Sequence, residues 1–174
     1  MSATRKPVIV RKFTREWYAG YASAAPAKEI AGLELLDHAG RLQLISWNTI
    51  KWICYVRESV SPAGSDSANP ERLLRRHFTS RPRSAGLWLR ITLIDGDELE
   101  GLAANDRTLV AGTGLMLTPP DIRSNTQRVF IPLQSIRELE VLAVIPAPGK
   151  GRVLSANQHS LQPGLFPGDP VADL

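Results

Sequence analysis

The stretch from Leu87 to Leu102 constrains the fold of this chain more than any other. Leu87, Leu89, Ile91 and Leu93 alternate with Trp88, Arg90 and Thr92, the period of two that a strand shows when one of its faces is buried. Asp95-Gly96 then supplies a tight turn, because glycine enters the positive-φ region freely. Glu98 to Ala103 returns as the second strand. A hairpin of this kind predicts the opening of a small β-barrel.

Strands of the same type are predicted on both sides of it. A first set runs over Val8 to Phe13, Trp17 to Tyr21, Gly32 to Leu36, Leu42 to Trp47 and Ile50 to Arg57. A second runs over Leu87 to Ile94, Glu98 to Ala103, Leu109 to Leu117, Gln127 to Leu133 and Arg137 to Ile145. Their landmarks recur in order. Gly20 and Gly101 lie 81 residues apart, Gly32-Leu33-Glu34-Leu35 and Gly114-Leu115-Met116-Leu117 lie 82 apart, and Ile45 to Lys51 and Ile131 to Arg137 lie 86 apart. The spacing widens only where the second set has longer loops, the signature of an internal duplication.

Between the sets, Glu58 to Asn69 is rich in Ser, Ala, Gly, Asp and Pro and reads as a linker. A short helix is predicted next, with Asn69 as its cap and Pro70 at its first position. Leu73, Leu74 and Phe78 fall on one face, Arg72, Arg75 and Arg76 on the other, and Pro82 ends it. From Pro146 onward the periodicity is lost and a flexible tail is expected, with Leu165-Phe166-Pro167 and Val171 to Leu174 as its apolar points. The expected organisation is therefore mainly β: a first five-stranded barrel at 7–57, a linker at 58–69, a helix with a second barrel at 70–145, and a disordered C-terminal tail at 146–174.

A short helix, five strands with a glycine bend in the second, and a brief turn before the fifth resemble the plan of an SH3-like barrel. More narrowly, Leu89 to Gly96, Leu99-Glu100-Gly101-Leu102 and Ala104-Asn105-Asp106 resemble the first motif of the Sm-like family, which includes Hfq, and Val129 to Ile136 resembles the second. The resemblance implies two tandem Sm-like barrels that bind RNA and self-associate. It also marks departures. Val110 stands where an asparagine would hold a base, Ile131-Pro132 follow Phe130 where Hfq has a basic pair, and Thr14-Arg15-Glu16 replaces the Asp-Gly turn in the first copy. Sm-like rings form when the fourth strand of one barrel pairs with the fifth of its neighbour. In the first copy Trp52, Cys54 and Val56 alternate with Ile53 and Tyr55, so both faces of that fifth strand are apolar, whereas Glu138 and Glu140 match Trp52 and Cys54 in the second copy. One copy thus expects a partner on its outer face: the other barrel, a second protomer, or both. A trimer forming a six-barrel pseudo-ring is the homo-oligomer this implies.

Composition bounds the chemistry. Cys54 is the single cysteine among 174 residues, so no internal disulfide or thiolate zinc cluster can be built, which suits the cytoplasm. No apolar run approaches the roughly 20 residues that span a bilayer, and the N-terminus has no signal-peptide core. Asp95, Asp97, Glu98 and Glu100 cluster at the hairpin but read as a solvated turn, and His38, His77 and His159 lack metal-ligand spacing. No phosphate loop, nucleophile elbow or Cys/His arrangement occurs. The chain is expected to be non-enzymatic, with no cofactor and no metal.

The formal charge of +4 permits an anionic partner, and the basic segment Arg72, Arg75, Arg76, Arg81 and Arg83, with Trp88 and Arg90 beside it, is the candidate nucleic-acid face. Arginine forks suit phosphates and an indole can stack on a base. Solvated arginines on an amphipathic helix are the competing reading. Arg123, Asn125, Gln127 and Arg128 form a weaker polar candidate. Arg72 and Arg76 are also similar to the Arg-x-x-x-Arg of PilZ domains, but the Asp-or-Asn-x-Ser-x-x-Gly element those domains need does not follow. Two functions remain: a module binding single-stranded RNA, or a protein-interaction or assembly scaffold without nucleic acid.

Overall fold

A computed structural model describes residues 4–24, 31–59, 73, 74, 76–121 and 124–147. The architecture is mainly β, as expected. In chain order the strands are β1 (Arg5–Lys12), β2 (Trp17–Ser23), β3 (Gly32–Leu36), β4 (Leu42–Ser46), β5 (Ile50–Val56), β6 (Gly86–Leu93), β7 (Glu98–Ala103), β8 (Gly114–Thr118), β9 (Thr126–Pro132) and β10 (Ile136–Ile145). Single 3-10 turns at Trp47–Thr49 and Leu133–Ser135 lead into β5 and β10.

All ten strands join one antiparallel sheet in the order β10-β6-β7-β8-β9-β5-β1-β2-β3-β4. This corrects the expectation of two separate barrels. No pairing among the described residues closes either set on itself; instead β5 continues directly into β9 through Ile53↔Phe130, Cys54↔Val129 and Tyr55↔Arg128. The predicted helix is corrected as well. Leu73 and Leu74 form a single 3-10 turn and residues 76–85 are irregular, while 70–72 and 75 lie outside the described residues. A helix of a dozen residues between two prolines is marginal on its own, and here Phe78 is held by contacts across the sheet instead. The strand expected over Leu109 to Leu117 is likewise a helical turn, α1 (Thr108–Ala111), followed by β8. Of the expected linker and tail, 60–69 and 148–174 lie outside the described residues.

The two halves repeat one another in register. Val10 pairs with Ile53 as Ile91 pairs with Leu139, and Leu33 pairs with Ile45 as Leu115 pairs with Ile131. The Phe13 N–H donates to the Thr49 carbonyl and the Ile94 N–H to that of Ser135, each at 3.1 Å. The turn Thr14-Arg15-Glu16, which departs in sequence from Asp95-Gly96-Asp97, has the same backbone: Arg15 takes φ 69° where Gly96 takes 91°. At Gly32 and Gly114 a Cβ would strike the carbonyl oxygens of Ile45 and Ile131 respectively, so strands three and four of each half approach as only glycine allows.

Two cores sit in this sheet. Val8, Val10, Leu33, Leu35, Ile50 and Ile53 fill the first. Leu89, Ile91, Leu93, Leu115, Leu117, Val129 and Ile131 fill the second, together with Ile9, Trp52, Cys54 and Val56 from the first half. The doubly apolar β5 therefore has one face in each core. Its outer partner is the second half of the same chain.

Candidate functional site

The segment after residue 75 lies across the outer face of β10, β6 and β7. Alternation on β6 buries Leu89 and Ile91 and leaves Trp88 and Arg90 half-buried on the opposite face, where Glu100 is paired with Arg90 across β7. Glu100 is only 7% exposed, and a buried carboxylate needs donors. It has four. The Phe78 N–H and Trp88 Nε1 each donate at 3.3 Å, His77 Nδ1 lies 3.3 Å away, and Arg90 Nη2 lies 3.4 Å away. Burial pushes the carboxyl up, but these donors outweigh it and hold Glu100 below its ordinary value. The Phe78 ring meets Trp88 edge-on, with centroids 5.6 Å apart.

Two of the described arginines, Arg76 and Arg90, stand beside acids. Arg90 is shared between Glu100 and Glu140, the latter at 3.1 Å. Arg76 lies 3.8 Å from Asp121, and Arg81 donates to the Val144 carbonyl at 3.1 Å. Arg83 is exposed. Arg72, Arg75 and Arg123 lie outside the described residues, as does His159. The structure brings Trp88, Arg90, His77 and Phe78 to one place, and that place is centred on a carboxylate.

The hairpin acids separate into two roles that local sequence does not show. Glu100 serves the cluster above, while Asp95 and Asp97 reach across the joint between the halves to Lys51 of β5. Lys51 is 4% exposed, with its ammonium 5.0 Å from the Trp52 ring centroid. Nearby, Ser135 Oγ donates to the Ile50 carbonyl at 2.7 Å and fastens the same joint. The contact separations of 44 and 46 residues for Lys51 explain why no short motif reveals it. No group of His, Cys, Asp and Glu suited to a metal occurs among the described residues. Burial pushes the Cys54 thiol up to about 12, so it is protonated and inert at neutral pH. A cavity of about 740 Å³ beside β8 is lined mainly by Leu102, Leu115, Met116, Leu117 and Phe130, and Asp106 and Arg128 are its charged groups. No helix among the described residues is long and apolar enough to cross a membrane.

The other feature sequence reasoning missed lies at the ends of the sheet. Among the described residues β4 pairs only with β3 and β10 only with β6. On β4, Leu42 is 55% and Leu44 62% exposed; on β10, Leu139 is 43% and Val141 50% exposed. Alternation alone could not mark them, since it places such residues on a core face. Only the sheet order shows that they are edges.

A model for a family described only as of unknown function (DUF6982) matches residues 4–143. No curated protein and no solved structure matches the chain.

Proposed function

The chain belongs to the DUF6982 family, whose function is unknown, and from its own geometry we propose a non-enzymatic protein-assembly module that adds strands of protein to its two open sheet edges. The observation that carries this reading is the exposed aliphatic side chains on each edge, Leu42 and Leu44 on β4 and Leu139, Val141 and Val144 on β10. Unpaired edges offer rows of N–H and C=O groups that template further strands, and apolar side chains beside them add area to bury. We also read each half as an Sm-like, SH3-type unit opened into the common sheet, since β5, fifth in its half, pairs with β9, fourth in the other. The setting suited to its single, buried cysteine is the cytoplasm.

Binding of single-stranded RNA through Arg76, Arg81, Arg83, Trp88 and Arg90 is the second reading. The overall positive charge favours it, but Glu100, Glu140 and Asp121 beside the arginines oppose phosphate. A photo-crosslinking amino acid at position 44 or 141, in the producing cell, decides between them. Protein adducts at both positions, with none from exposed Glu34 on β3, are expected. Absence of protein adducts, with co-purifying nucleic acid that salt displaces, would replace this reading with the RNA one.

A further inference from the structure

The joint inside the chain supplies a template for a joint between chains. Since the halves repeat in register, each residue at the β5/β9 joint has a counterpart at an open edge. Ile53, Cys54 and Tyr55 correspond to Leu139, Glu140 and Val141 on β10; Phe130, Val129 and Arg128 correspond to Leu44, Gln43 and Leu42 on β4. Resting on the edge-assembly reading, we infer that the partner is a second copy of this chain, added head to tail. Its β4 pairs antiparallel with β10, so that Leu139 meets the partner's Leu44, Glu140 the partner's Gln43, and Val141 the partner's Leu42.

Four of the seven exposed large apolar side chains among the described residues then become two facing pairs. The ionic fastening of the internal joint carries over too. Lys51, which takes Asp95 and Asp97 from the neighbouring turn, corresponds to exposed Arg137, and Asp97 corresponds to exposed Glu16 at the tip of the β1–β2 turn. Arg137 therefore joins Lys12, which lies 3.2 Å from Glu16 in its own chain, on the partner's Glu16. Ser135, which donates to the Ile50 carbonyl, has no such successor: its counterpart Thr49 donates its hydroxyl proton to the Ser46 carbonyl of its own chain at 2.8 Å.

One difference sets the strength. Glu138 and Glu140 stand where Trp52 and Cys54 are fully buried, and Gln43 stands where Val129 is. The outward face of the chain-to-chain joint is polar, so this joint separates on dilution while the internal one does not. A head-to-tail contact uses two different patches, leaves the same two edges free after each addition, and ends when the array closes.

The test is a chain carrying Leu44→Cys and Leu139→Cys, both at exposed positions, oxidised mildly and run without reductant. A ladder at multiples of 19.1 kDa is expected, and none from Leu44→Cys with Val144→Cys, which lies outside the register. No ladder from the first pair, or a ladder from the second, overturns the inference. Arg137→Glu is expected to raise the concentration at which the assembly dissociates at least tenfold, and Glu16→Arg in the same chain to restore it; a swap that fails to restore overturns the register. Cellular photo-adducts at positions 44 and 141 made only of other proteins, without a ladder, reject the second copy yet keep the edge-assembly reading. Neither adducts nor a ladder rejects both.

Discussion

Lys51 offers the sharpest test of how the two halves are held together. Its side chain is 5% exposed, while those of Asp95 and Asp97 are 33% and 43% exposed. The two sides of this ion pair therefore respond differently to removal. Asp95→Asn with Asp97→Asn leaves a buried ammonium without a counter-charge, and breaking a buried pair in that way costs about 3 kcal/mol, the low end of the usual range because the aspartates are partly wet. The amide oxygen introduced at position 95 still accepts the hydrogen bond that Asp95 Oδ1 takes from the Asp97 N–H, so the turn itself is kept. Lys51→Met retains the stem packed on Trp52 and releases two aspartates into solvent; that cost is about 1 kcal/mol, near the value of an exposed pair. With a urea m-value of about 2 kcal/mol per M, the double substitution shifts the midpoint by roughly 1.5 M and the single one by roughly 0.5 M. Tryptophan fluorescence follows the transition, in a Leu44→Lys background so that unfolding is not linked to assembly. A Lys51→Met midpoint shift as large as that of the double variant would refute the view that the lysine is the desolvated partner.

Two further outcomes follow from the same structure. Gly114→Ala places a Cβ against the Ile131 carbonyl and the Phe130 ring and is expected to cost about 2–3 kcal/mol by overpacking, whereas Gly40→Ala, with φ 78° but open space around it, costs about 1 kcal/mol; urea midpoints rank the two. Glu100 titrates below its ordinary value in the folded chain, so the unfolded chain binds its proton first as pH falls. The stability it contributes is whole above the ordinary carboxylate value and is lost as pH drops through the lowered one. Glu100→Gln should therefore show a shallower loss of unfolding free energy over that acid window than the wild type.

What sequence makes legible here is what depends on neighbours along the chain. The alternation from Leu87 to Leu93 placed β6 and its buried face within a residue, whereas Gly32 and Gly114 stood out only as matching landmarks, and their close strand approach showed only in the fold. The apolar second face of β5 announced a partner, found in β9 of the same chain. Pairing between strands far apart in sequence was not legible: nothing local distinguishes two closed barrels from one sheet of ten strands. The same holds for the predicted helix, whose Phe78 docks on Trp88 and whose backbone N–H caps Glu100, contacts that override a short helical pattern. The turn at Arg15 shows the converse. Its sequence departs from Asp-Gly, yet the flanking strands impose the same left-handed backbone on an arginine.

The edge pairing of Leu44 with Leu139 makes the mass of the intact chain in solution its most direct measure. Light scattering at micromolar concentration is expected to give a multiple of 19.1 kDa that falls on dilution, and to give the single-chain mass for Leu44→Lys. A wild-type chain that remains at 19.1 kDa across that range would contradict the account.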